Sequence, residues 1–299
     1  MLFLYEKGLK RIILMYMNDI KEYGFALGGG GAKAFSQLGA IKALEKHGIK
    51  PAYFAGSSMG AVNAILLSAG YSIEELISFY SNHHRHDFFK LGFFRFTNIG
   101  LAKIVLSLCQ KKGFQNLEDL PRKVYVSTTL PDYGLRITLR KGRIDQVVMA
   151  STAAHGIKRY LVKDIAIKRQ IIQQSQGLIG NQRILYLVDS CYSSNVPFEL
   201  LQFIRKDYPE LSSSYFDIAF DVVPSYSQTG LIALDMFNKR VLSNDTNRVA
   251  FFNSKERGLY LKLDAGIKQT SFNNKSLELG VSYGEKYVED LLKKKNALN

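Results

Sequence analysis

The segment Phe54-Ala55-Gly56-Ser57-Ser58-Met59-Gly60-Ala61 constrains this chain more than any other. Before it, Pro51-Ala52-Tyr53-Phe54-Ala55 is short, apolar and aromatic, the composition of a buried strand. After it, Ala61 to Ala69 is small and apolar, suited to a buried helix, with Gly70 standing where that helix would stop. Between the two lies Gly-x-Ser-x-Gly. A sharp strand-to-helix turn lifts its middle residue, Ser58, clear of the backbone. It also sets that hydroxyl at a helix N-terminus, whose partial positive charge favours a developing anion. Gly56 and Gly60 flank it because a Cβ at either position would crowd the turn. The bland alternative is a chance match in a glycine-rich turn. The strand before and the helix after favour a nucleophile.

A second glycine-rich stretch lies upstream. Gly24-Phe25-Ala26-Leu27 is a short strand, Gly28-Gly29-Gly30-Gly31-Ala32-Lys33-Ala34 a loop, and a helix follows with Phe35, Leu38, Ile41 and Leu44 on one face. The first third thus runs strand, glycine loop, helix, strand, serine turn, helix, an α/β layout. A dinucleotide fold opens in the same way, but its acidic residue should fall near residues 50–56, and that segment has no acid. A phosphate P-loop would end in Gly-Lys-Ser/Thr, whereas Lys33 is followed by Ala34. Four glycines do supply a run of unobstructed N–H groups. Beside an activated serine such a run is an oxyanion hole; an anion site and a plain structural turn are the alternatives.

A serine nucleophile needs a base. The usual order in α/β-hydrolases is serine, acid, histidine. The histidines after Ser58 are His83, His84, His86 and His155, and none follows His155, so that order fails. Asp189 is the better candidate. It ends the apolar strand Ile184-Leu185-Tyr186-Leu187-Val188, the usual place for a site residue in an open α/β sheet. An apolar surround would raise its pKa and equip it as a direct base. The alternative is that Asp189 merely caps the next turn.

The 299 residues carry 40 basic and 26 acidic side chains, a formal charge of +14, which draws a protein to polyanions such as anionic membrane or nucleic acid. No recognition helix or aromatic RNA-binding signature supports nucleic acid. Cys109 and Cys191 are far apart and form no CxxC pair, which argues against a disulfide framework or a zinc site. Three histidines at 83, 84 and 86 do not point at one ion, so no metal is expected. The first 21 residues form a basic amphipathic segment broken by Glu6, Lys7, Lys10 and Arg11, which does not fit a signal peptide. No run of eighteen apolar residues exists, so no transmembrane helix is expected and any membrane contact is peripheral. A cytoplasmic location is the default.

Further along, residues 71–86 continue as a helix, and 83–96 mixes aromatic and basic residues, suited either to a membrane-facing lid or to rings packed under a helix. Val124 to Leu130 is a strand, and Leu135 to Arg140 alternates as a half-exposed strand would. Gln146 to Ala154 is helical. Residues 157–183 look like a basic insertion, solvated or lipid-facing. Asp217 to Val223 and Arg257 to Leu263 are further strands, and 225–250 is mostly helical.

With the glycine loop, Gly56-Ser57-Ser58-Met59-Gly60 and Asp189 in hand, the chain resembles the patatin-like phospholipases over roughly residues 22–225. The matching blocks are Gly29-Gly30-Gly31-Ala32-Lys33, Gly56 to Ala64, Ala150-Ser151-Thr152-Ala153-Ala154-His155-Gly156, and Val188-Asp189 with Asn195-Val196-Pro197. The resemblance implies a three-layer α/β/α fold with a central mixed, mostly parallel sheet. It implies a Ser58–Asp189 dyad without histidine, an oxyanion hole from Gly29, Gly30 and Gly31, no cofactor, and hydrolysis of lipid acyl esters. Residues 226–299 would be an extension packed on this core. The chain departs from the family at Ala34, at His155 and at Ser190-Cys191, where Gly, Pro and Gly-Gly or Gly-Ala are usual. These departures motivate an alternative: a lipid-binding or scaffolding protein with little turnover.

Overall fold

The structure is a computed structural model that describes residues 22–92, 95–154, 157–223 and 258–296. The strands are β1 (Glu22–Leu27), β2 (Pro51–Ser57), β3 (Lys90–Leu91), β4 (Phe96–Thr97), β5 (Lys123–Leu130), β6 (Leu135–Leu139), β7 (Tyr160–Leu161), β8 (Tyr186–Asp189), β9 (Tyr215–Asp221) and β10 (Gly258–Lys262). The helices are α1 (Phe35–Lys46), α2 (Met59–Ser68), α3 (Ile73–Ser81), α4 (Arg85–Phe88), α5 (Ile99–Lys111), α6 (Ile144–Ser151), α7 (Ile165–Gln174), α8 (Glu199–Asp207) and α9 (Asn274–Asn296). The main sheet runs β10-β9-β1-β2-β5-β8-β7, with β6 also on β5. The first five of these strands pair in parallel, and β6, β7 and β8 pair antiparallel.

The two faces of the sheet differ because side chains alternate along a strand. Phe25, Leu27, Phe54, Val124, Val126, Ile218 and Phe220 point to one face, into the large core under α1, α2 and α9. Ala26, Tyr53, Ala55, Tyr125 and Ala219 point to the other, into a smaller core with Leu200, Leu201 and Ile204 of α8. Strands covered on both faces carry near-continuous apolar runs, as β1 and β2 do. The result is the three-layer α/β/α arrangement with a mixed, mostly parallel sheet that the resemblance implied.

The chain after 257 completes the sheet: β10 lies beside β9 in register Leu259↔Ile218, and the 23-residue α9 packs along α1. Gly39 of α1 faces the Val281 backbone, and Gly284 of α9 faces the backbone of Ser36 and Ala40. A Cβ at either glycine would overlap a backbone carbonyl, so the two helices cross closer than ordinary side chains permit.

Two expectations need correction. Residues 71–86 are not one helix. Ser72 and Glu75 form a capping box that starts α3, which stops at Ser81, and α4 is a separate turn. The β6 strand is not half-exposed, because Ile137, Thr138 and Leu139 are all buried. The basic insertion covers it: Gln174 of α7 accepts from the Thr138 N–H (2.8 Å) and donates to the Thr138 carbonyl (2.8 Å). In the mixed stretch 83–96, Phe88 is fully buried among Phe79, Tyr80, His83 and Phe272, whereas Leu91 and Phe96 are exposed. The amphipathic segment 1–21, Phe93-Phe94, His155-Gly156 and the helical expectation for 225–250 lie outside the described residues.

Candidate active site

The β5 strand explains how two distant parts of the chain meet. Along one edge it pairs with β6 from Val126 to Leu130. Along the other it pairs first with β2, up to Ser57↔Ser127, and then with β8, starting at Thr128↔Asp189. The β2 strand runs parallel to β5 and leaves it at Ser57; β8 runs antiparallel and arrives at the next position. Two strands therefore meet end to end on one edge, and the residues at the junction are Ser58 and Asp189.

Ser58 is the turn between β2 and α2, with φ +52° and ψ −128°. A side-chain-bearing residue in this region is strained by roughly 1–3 kcal/mol. Three contacts hold the turn. Gly56 lies against Ala61, so that a Cβ there would be 2.5 Å from the Ala61 Cα, and Gly60 lies against the Leu27 and Gly28 carbonyls. The Ser58 N–H donates to Ser151 Oγ (3.0 Å), which in turn donates to the Ser127 carbonyl (2.9 Å) of β5. The Ser58 carbonyl accepts from Ala61 and Val62, beginning α2.

Asp189 is 1% exposed. Burial raises its carboxyl to about 6, against the opposing pull of hydrogen bonding from the Ser58 side chain and from Cys191. Oδ1 accepts the Cys191 N–H (2.9 Å), while Oδ2 has no well-formed hydrogen bond among the described residues. The carboxylate is thus held through one oxygen and leaves the other to take a proton. Ser190 places its hydroxyl 2.5 Å from that of Ser57, so the side chain that stands where the resemblance would put glycine ties the two strand ends together.

The glycine loop is fixed from several directions. Its Gly28 N–H donates to the Phe220 carbonyl (3.0 Å), and Ala32 N–H to the Gln269 carbonyl (2.8 Å). Asn195 grips Gly29 twice: its carbonyl accepts the Gly29 N–H (3.1 Å), and its Nδ2 donates to the Gly29 carbonyl (2.9 Å). Gly29 also lies against Ser58, and a Cβ on it would be 2.8 Å from Ser58 Cβ. The Gly29 amide is consequently engaged and is not the ready donor expected. Gly30 and Gly31 make no hydrogen bond through their N–H groups among the described residues.

Behind the loop runs a buried polar chain. Tyr80 OH donates to Asn63 Oδ1 (2.7 Å), Asn63 Nδ2 to Gln37 Oε1 (3.0 Å), and Gln37 Nε2 to the Gly28 carbonyl (2.7 Å). Asn63 also donates to the carbonyl of Ala34 (3.3 Å), whose side chain is buried at the start of α1. Burial pushes the Tyr80 phenol upward, so it remains a donor at any ordinary pH. Sequence reasoning did not assign roles to Ser151, Asn195, Gln37, Asn63 or Tyr80. The available signal was Asn63 and Gln37 standing alone in apolar helix faces, where a polar side chain must find partners. Among the described residues no group of three or more His, Cys, Asp or Glu side chains converges as metal ligands would.

The family model for patatin-like phospholipases matches residues 25–201, more than half of the chain. The chain belongs to the patatin-like phospholipase family. A curated patatin-like relative from Escherichia coli, a "cUMP-AMP-activated phospholipase", is 33% identical over 133 residues, 43% of this chain and 36% of the relative, so this chain matches about a third of that protein's length. Among solved structures, human GIVD cytosolic phospholipase A2 aligns over 98% of this chain and 62% of its own, with TM-score 0.53 and 12% identity. VipD from Legionella pneumophila aligns over 92% and 67%, with TM-score 0.52 and 13% identity. At such identities these likenesses concern the fold. The matched span includes the glycine loop, the serine turn and Asp189. No helix among the described residues is long and apolar enough to cross a membrane.

Proposed function

We propose that the chain is a lipid acyl hydrolase of phospholipase A or lysophospholipase type, in which Ser58 is the nucleophile and Asp189 its base. Family membership supports a lipid substrate. The observation that carries the dyad is the end-to-end meeting of β2 and β8 on β5, with Ser58 acting on a carboxyl already raised to about 6. Asp189 takes the Ser58 proton as Oγ attacks the ester carbonyl. The amides of Gly30 and Gly31, with the first N–H groups of α2, receive the oxyanion. Collapse expels the alcohol, which takes the proton from Asp189. Water, deprotonated by the same carboxylate, then releases the acid and restores Ser58. No metal or cofactor enters these steps. Contact with an anionic membrane is peripheral.

The test is cleavage of p-nitrophenyl butyrate and of phospholipid vesicles by the wild type, Ser58→Ala and Asp189→Asn. Each substitution should lower kcat by about a hundredfold or more. Turnover surviving either one would remove the dyad. The second reading, a lipid-binding protein with little turnover, is favoured by the engagement of the Gly29 amide with Asn195. Covalent labelling of Ser58 by a fluorophosphonate separates the two: a labelled Ser58 supports the enzyme, and an unlabelled one the binding protein.

A further inference from the structure

Most of the large apolar side chains that the described residues leave exposed fall in two segments. Leu91, Phe96 and Ile99 belong to the β3–β4 hairpin and the start of α5; Leu161, Ile165, Ile172, Leu178 and Ile184 belong to the insertion after α6. The two segments are joined. The Lys158 N–H donates to the Phe96 carbonyl (2.8 Å), and Phe96 forms a bridge with Ile157.

The insertion is also unusual in charge. Residues 157–184 contain six Lys or Arg side chains and one acid, Asp164. That acid is already occupied, accepting the N–H groups of Ile167 (3.0 Å) and Arg143 (3.0 Å). On α7, Ile167 and Ile171 are buried, while Ile165 and Ile172 are 68% and 52% exposed. Positions 165, 169 and 172 lie along one helical stripe, so the outward face of α7 carries isoleucine, arginine, isoleucine. Lys158, Arg159, Lys163 and Arg183 are exposed around it. An apolar stripe framed by cations is the pattern of a helix lying at the boundary between headgroups and acyl chains.

We infer that the outward face of the 157–184 insertion, with the adjoining β3–β4 hairpin, is the surface by which this protein docks on an anionic lipid bilayer. The inference rests on the lipid hydrolase reading for its purpose, but its evidence is separate. Charge complementarity selects the occupant. The surface would need a partner that is both apolar and negatively charged over an extended area, and an anionic bilayer supplies both. The placement fits delivery of substrate. Leu161 pairs with Tyr186 in β8, three residues before Asp189, which sets this surface about 10 Å along the strand from the carboxylate. The Asp189 N–H also donates to the carbonyl of Ala153 (3.1 Å), four residues before the insertion begins.

The experiment uses the full chain carrying Ser58→Ala, so that vesicles stay intact, in flotation with phosphatidylcholine vesicles with and without 30 mol% phosphatidylglycerol, a composition giving roughly the charge of an anionic leaflet. The surface is altered by Ile165→Glu with Ile172→Glu, and separately by Lys163→Glu with Arg169→Glu. The parent should prefer the anionic vesicles and lose that preference at high salt. Each double variant should partition about tenfold less or weaker still. In the Ser58 background the same variants should cleave p-nitrophenyl butyrate at the parental rate while losing vesicle hydrolysis. Equal binding to both vesicle types, or variants that float like the parent, would overturn the assignment. So would self-association abolished by Ile165→Glu with no effect on vesicles, which would make the face a protein interface. A protein that binds vesicles through these residues yet cleaves no ester would overturn the hydrolase reading and leave the docking surface standing.

Discussion

Replacing Asp189 by Asn should destroy activity and at the same time make the protein more stable. The carboxyl is raised from 3.8 to about 6 because burial disfavours its charged form more than its hydrogen bonds favour it. A carboxyl whose folded pKa lies above its unfolded value binds more protons in the folded state between those two values. Stability therefore falls as pH rises from about 4 to about 6, and stays reduced above that. The shift of roughly two units corresponds to about 3 kcal/mol at neutral pH. Asn has no charge to bury, so the variant should match the wild type near pH 4 and exceed it by up to about 3 kcal/mol at pH 7. Urea unfolding at a series of pH values, followed by far-UV circular dichroism, measures the gap. The same pKa governs catalysis: about a tenth of the base is ionised at pH 5 and about nine tenths at pH 7. The rate constant for p-nitrophenyl butyrate should climb through an apparent pKa near 6. A gap independent of pH, or a rate flat down to pH 5, would refute the argument that a buried, partly unpaired carboxylate is the base.

Three more outcomes follow from the packing. Gly60→Ala should abolish fluorophosphonate labelling, because the new methyl meets the Leu27 carbonyl and displaces the serine turn; labelling at the wild-type rate would contradict the turn described. Asn63→Leu leaves Tyr80 and Gln37 without their common partner, and should lower kcat several-fold while costing about 1–3 kcal/mol of stability by urea titration. Cys109 is pushed up to about 12 and Cys191 is also raised, so iodoacetamide at pH 8 should modify both slowly in the native protein and quickly in urea. Rapid native alkylation of Cys191 would show a thiol far more acidic than its setting beside Asp189 allows.

The sequence announced the parts of this fold whose chemistry is local. A strand, Gly-x-Ser-x-Gly and a small apolar helix specify the Ser58 turn because each residue constrains its neighbours. The aspartate was legible as the end of an apolar strand. What was not legible is the pairing: nothing in Tyr186–Asp189 says that this strand runs antiparallel and abuts the end of β2. The alternation of β6 suggested exposure because period-2 patterning cannot see a helix whose Gln174 arrives from 36 residues downstream of Thr138. The use of the Gly29 amide by Asn195 was likewise hidden, since the four glycines are alike in sequence, while in the fold the Gly28 and Gly29 amides meet carbonyls and those of Gly30 and Gly31 meet none among the described residues.

The family match stops at residue 201, yet the carbonyl that anchors Ala32, at the end of the glycine loop, belongs to Gln269. A fragment trimmed to the matched span would lose that anchor, along with the outer strands β9 and β10 and the helix that shields α1. Anyone dissecting this chain by truncation should keep the segment after residue 257, because the glycine loop at its front is braced from behind.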